Sequence, residues 1–319
     1  MITKAFILGA GLGTRLRPLT NVRPKPLVPL FHKPMMMYAM DRALDLGLKE
    51  ISINTHHLAP VWEEFFPTSE SQSYEGLNGL ASRPSTYLEA AVSLFQEDDL
   101  LETGGGIKNI ENWVGDDDAL VYNGDIYCSI PLQPLVDLHN TGQFEATLVL
   151  RSDGPAKHLA IEGDQVIDIR NSLGRSEGTH QFTGIYAISP KILARLEANK
   201  KESVIRAFIE LAEEGRLGAV VIDEGEWFDL GTREMYLEAH QSESMTPTGV
   251  SPIAGSTTVP RSSEICSSWI GEEVSVAENV KIENSVVWGG VSIGEGAKIT
   301  NSVIFSDVPA NAVLDSVDQ

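Results

Sequence analysis

The tail of the chain restricts its fold more tightly than any other stretch. Apolar or small residues recur at Val274, Val280, Val286, Val291, Ala297 and Val303, in steps of six with one step of five, and Gly271 and Gly294 each follow an isoleucine. Such a period fits a left-handed parallel β-helix, in which each side of a triangular coil sends one aliphatic side chain inward. An array of ordinary hairpins is the plainer alternative. So few coils bury little area, so the segment is expected to lean on the rest of the chain or on a second copy of it, the latter giving a homo-oligomer through the β-helix. Just upstream, residues 241–249 carry turn residues without apolar periodicity, as a linker does. The expected organisation is a main domain over residues 1–240, a linker over 241–252 and the β-helix over 253–319.

The main domain has a different grammar. Residues 4–8 read as a buried strand, 35–46 as a helix and Glu50–Asn54 as a second strand, with Gly47 between helix and strand. A strand around Ala91–Phe95, a helix from Gly105 to about Trp113 and a strand over Ala119–Tyr122 continue the alternation. The expected fold class is therefore α/β: a Rossmann-like mixed, mainly parallel sheet sandwiched by helices, followed by the short β-helix. Leu159–Glu162 and Gln165–Ile169 flank Gly163-Asp164 and predict a hairpin set beside that sheet. Ligands of such sheets sit beyond the C-terminal strand ends. Both the glycine-rich segment after the first strand and Asp125 after a later one fall there.

Charge narrows the function. Among 319 residues, 45 Asp and Glu outnumber 24 Lys and Arg, a formal net charge of −21, so neither nucleic acid nor an anionic membrane is an expected partner. Any phosphate must meet a local positive site. The two cysteines, Cys128 and Cys266, build neither a disulfide scaffold nor a zinc cluster, and no apolar run is long enough to span a membrane. A cytoplasmic location is expected.

The segment Gly9-Ala10-Gly11-Leu12-Gly13-Thr14-Arg15-Leu16-Arg17, with Pro24-Lys25-Pro26 beyond it, supplies such a site. Glycines let backbone N–H groups approach polyphosphate. The dinucleotide fingerprint fails because Thr14 stands where its third glycine belongs, and a P-loop fails because Thr14-Arg15 follows Gly13. What stands instead is a loop with Arg15 able to grip phosphate bidentately and Lys25 held between two prolines as a compact charge. Asp125 and Asp229 are candidate carboxylates for a hard cation such as Mg2+. Asp125 follows a strand and a glycine, and Asp229 lies in an apolar-aromatic stretch where an unpaired carboxylate is costly.

The run Gly9 to Arg17, with Pro18, Thr20 and Pro24-Lys25-Pro26, resembles the signature of the sugar-1-phosphate nucleotidylyltransferases. Leu101-Glu102-Thr103-Gly104-Gly105-Gly106, Asn123-Gly124-Asp125, Phe182-Thr183-Gly184-Ile185 and Trp227–Thr232 extend the resemblance over roughly residues 1–240. It implies a Mg2+-dependent enzyme that joins a nucleoside triphosphate to a sugar-1-phosphate and releases pyrophosphate. It also implies a nucleotide-binding set of Gly9, Ala10, Gly11, Gly13, Thr14, Arg15, Glu102, Thr103, Gly104 and Asn123. Within that set Gly11 to Arg15 cradle the triphosphate, while Glu102, Thr103 and Gly104 lie near the base. Arg15 and Lys25 are the implied catalytic pair, with Thr183 and Gly184 facing the sugar. Many members carry Glu-Lys-Pro where this chain reads Asp168-Ile169-Arg170-Asn171, which makes Arg170 the candidate for the sugar phosphate. The Leu101–Gly106 run is most similar to uridylyltransferases acting on N-acetylmuramic acid 1-phosphate, and the tail points to mannose-1-phosphate guanylyltransferases. UTP is the favoured donor and GTP the alternative. A non-catalytic relative that binds a nucleotide sugar would be expected to lack Arg15, Lys25, Asp125 or Asp229, and all four are present.

Three other features are expected to be structural. Met35, Met36, Met37 and Met40 suit core packing, Asp116-Asp117-Asp118 a solvated turn, and Cys128 a small buried position.

Overall fold

The computed structural model describes residues 1–66 and 83–319. They form two compact units: Met1–Leu12 with Met36–Phe228, and Gly13–Met35 with Asp229–Gln319.

The first unit is built on a mixed sheet. Its strands are β1 (Ile2–Leu8), β2 (Glu50–Thr55), β3 (Arg83–Tyr87), β4 (Ala90–Gln96), β5 (Asp118–Asn123), β6 (Ala146–Arg151), β7 (Lys157–Glu162), β8 (Gln165–Ile169), β9 (His180–Ile188) and β10 (Leu217–Val221), in spatial order β7-β8-β10-β6-β9-β5-β1-β2-β4-β3. The expected β-α-β alternation holds where it was read. β5, β1, β2 and β4 run parallel, and Phe6, Ile7, Ile53, Val92 and Val121 are buried along them, as parallel strands covered on both faces require. α1 (Met35–Asp45) contributes Met35, Met36 and Met40 to the core.

Beyond β5 the sheet becomes mixed, antiparallel except where β6 and β10 pair in parallel. β9 lies between β5 and β6 and opposes both, and the hairpin β7-β8 extends the sheet through β9 and β10 instead of standing apart from it. Pairing across such sequence distances leaves no local trace. A helix over Ile205–Glu213 packs Ala207, Phe208, Leu211 and Ala212 against Tyr186, Leu148 and Leu217. The helix expected from Gly105 divides into α2 (Glu102–Asn109) and a short turn of helix over Glu111–Val114.

In the second unit the six-residue period produces stacked parallel rungs. Glu264–Cys266, Lys281–Glu283, Lys298–Thr300 and Val313–Asp315 form one ladder; Trp269–Ile270, Val286–Val287 and Val303–Ile304 form another; Ser275–Val276 and Ser292–Ile293 a third. Ile270, Val274, Val280, Ile282, Val291, Ile293, Ala297 and Ile299 fill the interior. Corner residues Asn279, Asn284, Asn301 and Asn311 take positive φ, which asparagine tolerates. A column of serines joins the coils, since the Ser285 N–H donates to Ser268 Oγ and the Ser302 N–H to Ser285 Oγ. As expected of so short a repeat, it leans on other segments of the same chain. Its neighbours within the unit are the segment Gly13–Met35 and a helix over Arg233–Gln241, where Arg233 pairs with the buried Asp318 carboxylate at 2.6 Å.

Candidate active site

The candidate residues are distributed over both units. In the first, the parallel strands end at Asn123, Leu8, Thr55 and Gln96, and this edge gathers the polar residues. Gly9 follows β1 directly. Its N–H donates to Asn54 Oδ1 at 2.7 Å, and a Cβ there would stand 2.8 Å from the Asn54 carbonyl oxygen. Gly9 is therefore glycine for packing, and its N–H is already committed. Gly11 differs: its backbone is not left-handed, and a Cβ would meet nothing within 4 Å among the described residues. Among the described residues no contact demands glycine there, and the open space suits the close approach of an outside group. Ala10 between them is buried.

Beneath the loop lies a network that sequence reasoning missed. Asn54 Nδ2 donates to Glu97 Oε1 at 2.7 Å, the Leu101 N–H donates to Glu97 Oε2 at 3.0 Å, and His56 Nδ1 meets the Glu97 carbonyl at 2.9 Å. Glu97 is fully buried. Burial pushes its carboxyl above the ordinary carboxylate range, and the bonds from Leu101 and Asn54 oppose that shift. Asn54 thus links the start of the glycine loop to the entry of α2. The available signal was a polar pair, Asn54-Thr55, closing the strand just where the active edge of the sheet begins.

The Glu102–Gly106 run serves packing. Gly104 and Gly105 donate their N–H groups to the Glu202 carbonyl, at 2.8 and 3.2 Å, and Thr103 Oγ1 accepts from the Val204 N–H at 3.0 Å. A Cβ on Gly105 would fall 2.2 Å from the Lys200 carbonyl oxygen, and one on Gly106 would fall 2.7 Å from Asn54 Nδ2. Glu102, on left-handed backbone at φ 59°, pairs with Lys201 at 3.8 Å. These contacts engage the Gly104 N–H, and Thr103 Oγ1 as an acceptor, at two residues expected near a base.

Asn123 ends β5 opposite Leu8, and the Gly124 N–H donates to the Leu8 carbonyl at 2.9 Å, which sets the half-buried Asp125 beside the start of the glycine loop. Gly184 has φ 78°, and a Cβ on it would stand 2.6 Å from Asn123 Nδ2, so it packs on that same strand end. The Thr183 hydroxyl, expected near the sugar, bonds within the sheet. Thr183 is fully buried, and its Oγ1 donates to the Val149 carbonyl at 2.8 Å because β9 shifts register at this point. Arg170 lies exposed in the turn after β8, with φ 55°. The carboxylate of buried Asp168 shapes this turn by accepting the N–H groups of Leu173 and Arg175, at 3.1 and 2.8 Å. Cys128 is buried, as expected of a small core residue.

The second unit holds the cations. Gly13 has φ 60°, and a Cβ on it would lie 2.7 Å from Thr20 Cγ2 and 3.0 Å from Lys25 Cβ, so the loop closes tightly on Lys25. Thr20 Oγ1 donates to the Gly13 carbonyl at 2.9 Å. Thr14 opens the 3-10 turn that carries Arg15. The Lys25 side chain is 8% exposed, and its Nζ stands 3.6 Å from Asp229 Oδ1; Arg15 Nη2 stands 3.9 Å from Asp229 Oδ2. Gly231 makes room for this arginine, since a Cβ on it would lie 2.8 Å from Nη1. Asp229 is therefore not stranded among apolar groups. Two cations face it, and its side chain is 45% exposed.

Among the described residues no group of three or more His, Cys, Asp and Glu could hold a metal ion. Asp229 Oδ1 is nonetheless buried without a hydrogen-bond partner, a hard oxygen with an unused lone pair. Magnesium keeps waters and substrate phosphates among its ligands and needs only one or two protein carboxylates, so these residues fit it.

The family profile described as "Nucleotidyl transferase" matches residues 4–245, and "GlmU-like, C-terminal hexapeptide" matches residues 238–314. The chain belongs to the nucleotidyl transferase family and carries a hexapeptide extension. It is 28% identical over 310 residues to a protein of Mycobacterium tuberculosis named mannose-1-phosphate guanylyltransferase, covering 89% of this chain and 82% of that one. It is 29% identical over 239 residues to a protein of Oryza sativa subsp. japonica named "Probable mannose-1-phosphate guanylyltransferase 1", with 73% of this chain matched to 63% of that one. In fold it is similar to a structure titled UDP-glucose pyrophosphorylase from Acinetobacter baumanii, with a TM-score of 0.58, 20% identity and coverage of 75% of this chain and 92% of that one.

Proposed function

We propose that the protein transfers a nucleoside monophosphate from a nucleoside triphosphate to a sugar-1-phosphate. An oxygen of the sugar phosphate attacks the α-phosphorus, the bond from that phosphorus to the bridging oxygen breaks, and pyrophosphate leaves. The attacking oxygen is already ionised, so no general base is needed and catalysis rests on positioning and charge. The observation that carries this reading is the pairing of Lys25 and Arg15 with one carboxylate on a loop closed by Gly13. Lys25 is a buried, oriented cation for charge that grows in the transition state, and Arg15, more exposed, suits phosphate oxygens. Asp229 and Asp125 are the carboxylates we assign to magnesium, which when bound supplies further neutralisation of phosphate charge.

For the donor, the Leu101–Gly106 run supports a uridylyl preference only by resemblance, and its glycines also answer to packing contacts. The names of the relatives favour GTP and mannose 1-phosphate, and we adopt that pair.

Pyrophosphate release tests the reading, with magnesium and the four nucleoside triphosphates offered against the 1-phosphates of mannose, glucose, N-acetylglucosamine and N-acetylmuramic acid. The expected result is release with GTP and mannose 1-phosphate that falls about a hundredfold or more in Lys25→Ala. Release with UTP instead would restore the uridylyl reading. Silence with every pair would remove the enzymatic one.

A further inference from the structure

The segment Gly13–Met35 has little regular structure of its own, yet it carries Arg15 and Lys25. Near its end the strands Pro29–Leu30 and Lys33–Pro34 pair around the two-residue turn Phe31-His32. Both turn residues have positive φ, 50° and 68°. That is the requirement of a type I′ turn, which favours Asn-Gly and disfavours a bulky aromatic. Such a conformation persists where surrounding groups over-determine it.

Those groups come from the hexapeptide region and the helix before it. The Phe31 ring lies 4.9 Å from Trp269 and 5.1 Å from His240, and the His32 ring lies 5.1 Å from Trp269. The Phe31 N–H donates to His240 Nε2 at 3.3 Å, while His32 Nε2 meets the Ser251 carbonyl at 2.9 Å. Trp269 Nε1 donates to the His240 carbonyl and Tyr236 Oη to the Pro29 carbonyl. A second tie lies on the next coil, where the Arg23 guanidinium sits over the Trp288 ring at 5.3 Å and Trp288 Nε1 donates to Tyr236 Oη at 3.2 Å.

We propose that the β-helix is a positioning element for the catalytic loop: Trp269 and His240 hold the Phe31-His32 turn, Trp288 holds Arg23, and together they fix the segment that carries Arg15 and Lys25. Its catalytic consequence rests on the nucleotidyl-transfer reading; the mechanical part stands apart from it.

The decisive variant is the double substitution F31N/H32G. It gives the turn its preferred residues, so a purely local role predicts an unchanged or more stable loop. The positioning role predicts that amides of residues 13–35 exchange with deuterium at least about tenfold faster, while β1 and β5 keep their protection. It also predicts that kcat falls about tenfold or more with both KM values little changed, as for a displaced transition-state group. Trp269→Leu should repeat the pattern and Trp269→Phe should reverse most of it. Unchanged exchange over residues 13–35 overturns the proposal. So does faster exchange with undiminished kcat, and so does an equal loss of protection in β1 and β5, which would mean general unfolding. If the unaltered protein releases no pyrophosphate with any substrate pair, the nucleotidyl-transfer reading fails, and the exchange result alone decides whether the tail holds the loop.

Discussion

Acidification should weaken this fold through His240, and the size of the effect follows from where the ring sits. His240 is fully buried, and its Nδ1–H donates to the Tyr236 carbonyl at 2.8 Å, which leaves Nε2 as the acceptor for the Phe31 N–H. Only the neutral imidazole can do both. Burial is the main cause that lowers its pKa from 6.5 to about 4; the bond to Tyr236 opposes the shift and nearby His32 adds to it. Because the folded value lies below the unfolded one, the unfolded chain binds more protons between about pH 6.5 and about pH 4, and stability rises with pH in that window. Its contribution is complete above about pH 6.5 and is lost as pH falls toward about 4. Two and a half units correspond to about 3 kcal/mol, most of it gone by about pH 4.5. Many carboxylates titrate over the same range, so the assay is a difference. Denaturant unfolding of the unaltered protein and of His240→Gln, from about pH 7.5 to about pH 4.5, should give free energies whose gap narrows by about 2–3 kcal/mol. A gap that stays constant across the range would refute the reasoning, because it would mean that the imidazole is protonated in place or open to water.

Gly105→Ala drives a Cβ to within 2.2 Å of the Lys200 carbonyl oxygen and should destabilise the protein by about 1–3 kcal/mol in thermal unfolding. Gly11→Ala meets nothing among the described residues and should leave stability within about 0.5 kcal/mol, yet raise KM for the nucleoside triphosphate. Glu97→Ala strips the acceptor from Asn54 Nδ2 and from the Leu101 N–H and should cost about 2–4 kcal/mol in denaturant unfolding, with Glu97→Gln recovering part of it. Asp229→Asn removes a partly exposed carboxylate from between two cations. Triphosphate binding measured in a metal chelator should tighten several-fold, about 1 kcal/mol, while turnover with magnesium falls.

What the sequence disclosed was whatever repeats or lies close together along the chain. Val274, Val280, Val291 and Ala297 face the interior because each side of a coil spans a fixed number of residues, so the period is written in the residues; Val286 and Val303, also expected inside, instead share the ladder of Trp269, and their neighbours Val287 and Ile304 take the inner positions. Ile2–Leu8 and Asp118–Asn123 were readable from the apolar runs Ala5–Leu8 and Ala119–Tyr122, and the glycine loop because its residues are contiguous. The insertion of His180–Ile188 between Asp118–Asn123 and Ala146–Arg151 was not readable, since nothing in an apolar strand names its distant partner. Nor could the sequence show that Thr183 lies at a register shift where its Oγ1 donates to the Val149 carbonyl. Asn54 and Glu97 lie 43 residues apart, and only the fold shows that they share a hydrogen bond.

The least legible feature is how the positive site is held. A chain of formal charge −21 can attract a polyphosphate only where cations are concentrated, and two cations on one short loop repel each other. Asp229 relieves that repulsion by facing both, and Gly13 and Gly231 make the approach possible by lacking side chains. None of this fixes the loop as a whole, because the segment has only short turns and two-residue strands of its own. An irregular segment keeps one shape when side chains from regular elements grip it at several points. Here the grips are aromatic, placed at Tyr236 and His240 on a helix and at Trp269 and Trp288 on successive coils. The hexapeptide period fixes where those tryptophans stand, and the left-handed turn at Phe31-His32 is the shape they impose. Substitutions in the repeat are therefore expected to register first in the geometry of Arg15 and Lys25, before they register in the stability of the parallel sheet.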